Sequence, residues 1–155
     1  MKMRNLAVLL VMCLASLAVC FASASPQMGT WKLNEAKSKF SEKATKNNTV
    51  MYEAAGDQVK VTVDGVDADG KAIHSEWTGK FDGKDYPLMG DPSGDMRSYK
   101  QISANKLELT TKKDGKVTSS GTIVVSADGK TRTVTINGTD SMGKKVHYMA
   151  AYDKQ

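Results

Sequence analysis

The chain has 155 residues, 40% hydrophobic and 25% charged, with 22 Lys and Arg against 17 Asp and Glu for a formal net charge of +5. The excess is mild and mixed in sign along the chain: Lys112-Lys113 stands beside Asp114. No stripe of the kind that grips phosphates is present, and nucleic acid is excluded as an expected partner.

The chain opens on Lys2 and Arg4, an apolar run from Leu6 to Phe21 and the small triplet Ala22-Ser23-Ala24. That order of charge, short apolar core and small residues predicts a secretory signal peptide over 1–24, cleaved after Ala24. The apolar core is too short for a membrane span, so none is expected. The rival is lipoprotein processing at Cys20, because Leu17-Ala18-Val19-Cys20 partly matches a lipobox, with Val19 where a small residue is expected. Cleavage after Ala24 removes Cys13 and Cys20 and leaves 131 residues, 20 basic and 17 acidic. A single domain over 25–155, in the periplasm or outside the cell, must then hold itself without disulfides, which that length permits.

From residue 29 onward, segments with apolar residues at every second position alternate with tight turns. Val59, Val61 and Val63 share one face of 58–66, and Ile73, Ser75, Trp77, Gly79 and Phe81 share one face of 71–81. Later come Leu107 with Leu109, Ile123 with Val125, Val134 with Ile136, and Val146, Tyr148, Ala150 and Tyr152. Period two repeated in this way predicts half-buried antiparallel strands. We place them at 29–33, 48–55, 58–66, 71–81, 84–88, 96–102, 105–112, 116–126, 130–138 and 144–153. Asp-Gly-Lys recurs at 69–71, 82–84, 114–116 and 128–130. Asp and Gly tolerate positive φ, so each repeat predicts a hairpin. A meander of eight to ten strands leaves two open edges unless it closes, so the expected fold is all-β, a single antiparallel up-and-down barrel.

Two short motifs carry a resemblance. Gly29-Thr30-Trp31-Lys32-Leu33 resembles the Gly-x-Trp opening shared by lipocalins, avidins and fatty-acid-binding proteins, the calycin group of ligand-holding barrels. Tyr152-Asp153-Lys154 resembles the Tyr-acid-Lys close of many fatty-acid-binding proteins. As a whole the chain resembles small exported lipocalin-like proteins of bacteria that carry GTWKLN near the start and repeated DGK turns. The resemblance implies that Trp31 plugs one end of the barrel. Two departures stand beside it: the segment from Asn34 to Asn47 is too short and too poor in apolar period for a helix pair, and the lipocalin cysteines are missing.

A barrel of about eight strands is just wide enough to be filled by side chains or to hold one small ligand. After Ala24, 43 of 131 residues are hydrophobic, lean for a filled core. A ligand wall needs large apolar faces broken by small residues and a few polar hooks. On that ground the candidate ligand-binding residues are Trp77, Ser75, Tyr52, Met96, Arg97, Tyr99 and Tyr148. The stretch Pro87–Met96 carries Leu88, Met89 and Met96 and reads either as a lid over an apolar entrance or as an ordinary strand crossing.

Catalysis has little material here. His74 and His147, the only histidines, fall on the polar face of their strands. His74 with Glu76 offers two ligands where zinc wants three or four. Asp91 and Asp95 sit in a turn-rich loop where acids usually face water. Residues 65–76 approach a calcium loop in spacing, with Asp67, Asp69, Gly70 and Glu76 in place. The first ligand position is Gly65 and the flanks read as strands, so the stretch is taken as one more hairpin. Neither a cofactor nor a metal is expected. The expected protein is a monomeric exported barrel binding a small apolar molecule in its interior. The alternative is a structural or protein-interaction module of the cell envelope with a filled barrel, and an enzyme ranks last.

Overall fold

The computed structural model describes residues 25–41, 44–139 and 143–155; the expected leader lies outside the described residues. Ten strands follow one another: β1 (Gly29–Lys39), β2 (Lys46–Ala55), β3 (Gln58–Val66), β4 (Ala72–Gly79), β5 (Tyr86–Met89), β6 (Met96–Ser103), β7 (Lys106–Lys113), β8 (Lys116–Val125), β9 (Thr131–Thr139) and β10 (Lys145–Lys154). Each pairs antiparallel with its neighbours in sequence, and β1 closes the barrel on β10 with Leu33 opposite Tyr152. Closure removes both free edges that an open meander would expose. The all-β, up-and-down barrel expected from the alternation is the fold observed.

Alternation also decides which way each side chain points. Along β3 Val61 and Val63 are buried, and along β9 Arg132, Val134 and Ile136 are. The expected strand limits hold to within about two residues except for β1, expected to stop at 33. It continues to Lys39 through an irregularity, pairing Asn34 with Ala151 and then Lys39 with Met149. The Ser38 hydroxyl bridges the gap: it donates to the Asn34 carbonyl at 2.7 Å and accepts from the Ala151 amide at 2.9 Å. A side chain thus replaces a ladder bond where the apolar period fails.

The four Asp-Gly-Lys turns share a left-handed glycine but little else. Gly70, Gly83, Gly115 and Gly129 all have φ between 70° and 80°. Among the aspartates only Asp114 joins them, at φ 49°, giving the two-residue turn between Lys113 and Lys116 the mirror-image geometry that suits strand twist. Elsewhere an aspartate carboxylate holds the turn instead. Asp128 Oδ1 accepts from the Lys130 amide at 3.0 Å, and Asp82 Oδ1 from the Lys84 amide at 3.0 Å. The turn at 82–84 is also no tight hairpin. Asp82 forms an isolated bridge with Lys100, and the Gly83 amide donates to the Tyr99 carbonyl, so this stretch extends the wall past the end of β4.

The thinnest part of that wall is β5. It holds β4 through the pairs Glu76–Met89 and Trp77–Leu88, and β6 through Tyr86–Arg97 and Pro87–Met96. Pro87 has no amide to give. The neighbouring loop is tied down from both sides: the Leu88 amide donates to the Asp95 carbonyl and the Asp95 amide to the Lys112 carbonyl.

Candidate functional site

The interior is the candidate site, and it has two unlike ends. At the end covered by the chain segment before β1, Trp31 is fully buried and donates from Nε1 to the Gln27 carbonyl at 2.8 Å. Arg132 projects inward from β9 and is 2% exposed. Its guanidinium carbon lies 5.1 Å from the Trp31 ring centre, 5.1 Å from that of Tyr52 and 4.7 Å from that of Tyr152. Lys154 Nζ stands 5.1 Å from the Trp31 ring as well. Ring faces carry negative charge, so three of them around one guanidinium replace part of its lost hydration. Trp31 therefore does plug this end.

Between the ends lies an aromatic layer. Trp77 meets Tyr99 edge-on at 4.7 Å and Tyr86 edge-on at 5.7 Å, and it stacks against Phe81 at 6.4 Å. Tyr52 touches both Phe81 and Tyr99 edge-on, which links this layer to the Arg132 cage. Ser75, 5% exposed, sits two residues before Trp77 on the same face. Trp77 Nε1 donates to the Arg97 carbonyl at 2.8 Å, satisfying the one polar atom of the indole. Burial, above all, pushes the phenols of Tyr52 and Tyr152 far above their ordinary value. The same cause lifts Tyr148 to about 12. All three are neutral hydroxyls at physiological pH.

At the other end the cation is paired. Arg97 Nη2 donates to Asp91 Oδ2 at 3.1 Å and Nε to the Thr111 hydroxyl at 3.0 Å, with Thr111 fully buried. Burial works against the Arg97 charge, but the neighbouring Tyr99 and Asp91 outweigh it and hold its pKa above the ordinary guanidinium value. Tyr148 is partly buried here and packs against Phe40, ring centres 5.9 Å apart. Asp91 is itself set by its loop, where Oδ1 accepts from the Ser93 amide and hydroxyl. The expectation that Asp91 simply faces water is corrected: its side chain is 18% exposed and ion-paired. Its companion Asp95 takes no part in the pair and accepts instead from the Asp114 amide.

Of the seven residues picked from sequence, Trp77, Tyr99 and Tyr52 form one packed group, Ser75 borders it, and Arg97 and Tyr148 stand at the paired end. Met96 does not join them. It alternates with the inward Arg97 and Tyr99 and so lies on the outer face between Pro87 and Lys112. The lid residues also divide, Leu88 being 6% and Met89 70% exposed. His74 is on the outer face, with Nδ1 2.6 Å from Asp64 and Nε2 3.6 Å from Glu76. His147 bonds Asn137 across the outer face. In the stretch 65–76, Asp67 Oδ1 is taken up by the amides of Asp69 and Lys71, the bonding of a hairpin turn.

Arg132, Asp91, Thr111 and Phe81 belong to the interior and were not among the candidates. For Arg132 a signal exists. It precedes Val134 and Ile136 at period two, so the face that carries them carries Arg132 also.

No family model matches this sequence, and neither does any curated protein. Among solved structures the chain is similar to a redesigned β-barrel, mFAP1, bound to DFHBI, at 16% identity and TM-score 0.44 over 85% of this chain and all of that one. It is also similar to EF1p2_mFAP2b bound to DFHBI, at 9% identity and TM-score 0.47 over 84% of this chain and 94% of that one. The barrel assignment rests on this chain's own strand order and closure, not on those likenesses.

Proposed function

We propose that this protein is exported and that its barrel binds a small, mainly apolar molecule inside. The observation that carries the reading is the aromatic layer itself. Trp77 and Tyr99 meet at 4.7 Å beside the small Ser75, with the polar hooks of Arg97 and Tyr148 at the paired end. Apolar faces with a few convergent polar groups are what a small-molecule site requires. The test is to soak the protein lacking residues 1–24 in a lipid and metabolite extract and read retained species by native mass spectrometry. A species retained by the wild type and lost in Trp77→Ala supports the reading; none retained from any extract sinks it.

A second reading, a filled barrel serving as an envelope scaffold, is favoured by how closely the interior packs. A Cβ added at Gly79 would stand 2.5 Å from the Tyr86 ring and 2.6 Å from that of Trp77, and one at Gly121 would stand 2.7 Å from Ile136 Cδ1. Close packing at these two points raises the cost of admitting a guest without displacing side chains. Retention of nothing, together with specific capture of an envelope component by the outer face, would favour it.

A further inference from the structure

Arg132 is 2% exposed, yet among the described residues its Nε and Nη1 have no hydrogen-bond partner. Buried guanidinium groups are ordinarily matched by a carboxylate and by acceptors for their N–H bonds. Arg97 shows that pattern at the other end, with Asp91 and Thr111 as partners. Around Arg132 there are ring faces, and the Trp31 ring is also approached by a second cation, Lys154. The acid next in sequence to Tyr152, Asp153, is engaged elsewhere, where its Oδ2 accepts from Asn34 at 2.7 Å. Gln27, 1% exposed at the same end, also has an unpartnered atom, Oε1. Since Oε1 and the two Arg132 nitrogens all lack partners, they do not satisfy one another.

We propose that this closed end is an anion site, in which Arg132 takes one singly charged group the size of a halide or a small carboxylate. The three rings stabilise the charge of the guanidinium, but they supply no oxygen or nitrogen acceptor to its N–H bonds. An anion supplies both the missing acceptor and the missing charge. A water would supply the acceptor, and a donor for Gln27 Oε1, but no charge, and that is the competing account. The site does not depend on the interior-ligand reading, because it concerns the plugged end and a free anion suffices.

The test uses the protein lacking residues 1–24, unfolded by heat at constant ionic strength while sodium chloride replaces sodium isethionate, whose anion is bulky. A Tm that rises by several degrees and saturates with chloride is expected, and Arg132→Met is expected to abolish the rise. Equal Tm in both salts, or a rise that survives in Arg132→Met, overturns the proposal in favour of water. A second measurement serves if Arg132→Met does not fold. In Trp77→Phe the remaining indole is Trp31, fully buried, so collisional quenching is shut out. Iodide is then expected to quench it saturably and chloride to restore it. Absent or linear quenching that chloride leaves unchanged overturns the site.

Discussion

The barrel contains two inward arginines and stabilises them by opposite means. Arg97 has a carboxylate at 3.1 Å and a hydroxyl at 3.0 Å, and its side chain remains 13% exposed. Arg132 is more deeply placed and is surrounded by Trp31, Tyr52 and Tyr152. The first arrangement depends on directed bonds, which tolerate some water. The second depends on ring faces, which need water excluded and therefore need the plug. The comparison teaches that the plugged end is organised by packing and the other by pairing, and each should fail in its own way.

The largest expected effect is at the plugged end. Trp31→Ala removes the indole that Arg132 and Lys154 both approach and is expected to cost about 3–5 kcal/mol, read as a lower denaturant midpoint. A cost as small as that of breaking the Arg97 pair would erase the distinction between the ends.

Next come the interior phenols under alkali. The folded pKa values of Tyr52, Tyr148 and Tyr152 stand above the ordinary value of about 10. Below that pH both states keep the protons and stability does not change on this account. Above it the unfolded chain releases protons that the fold retains, so stability falls as pH rises, by up to about 1.4 kcal/mol per pH unit for each phenol. For Tyr148 the fall levels off near 12. Equilibrium unfolding between the ordinary phenol value and that limit, followed by phenolate absorbance, is expected to show Tyr52 and Tyr152 ionising only as the barrel opens.

At the paired end, Asp91→Asn leaves Arg97 its hydrogen bonds but not its counter-charge. The expected loss is about 1–3 kcal/mol in the denaturant midpoint, with a weaker dependence on salt than in the wild type.

The smallest effect is outside the barrel. The hydrogen bond to Asp64 raises the pKa of His74 above its ordinary value. Its contribution is therefore complete below that ordinary value and is lost as pH rises through the folded one. Because the side chain is exposed on the outer face, no measurable change in stability is expected. The shift should appear in an NMR titration of the imidazole and return toward the ordinary value in Asp64→Asn.

Much of the fold was legible because its signals are local. Val59-Lys60-Val61-Thr62-Val63 declares a half-buried strand without reference to anything distant, and Asp114-Gly115 declares a turn. The extension of β1 was hidden because a serine hydroxyl, not an apolar period, carries the ladder at Ser38. The candidate site was half legible. Trp77, Ser75 and Tyr99 followed from parity and size. Met96 adjoins the loop in sequence, but the parity that Arg97 and Tyr99 impose on β6 turns it to the outer face. Asp91 looked like any loop acid, and only the fold brings Arg97 to it.

By itself, then, the sequence determined strands, turns and the face on which each side chain stands, because those follow from φ, ψ and a period of two within a few residues. The tertiary structure alone decided the company those faces keep. Trp31, Tyr52, Arg132 and Tyr152 come from β1, β2, β9 and β10 and meet only because β1 pairs with β10 to close the sheet. Which cation is paired and which is caged depends on closure over the whole length of the chain, and no local pattern of residues encodes it.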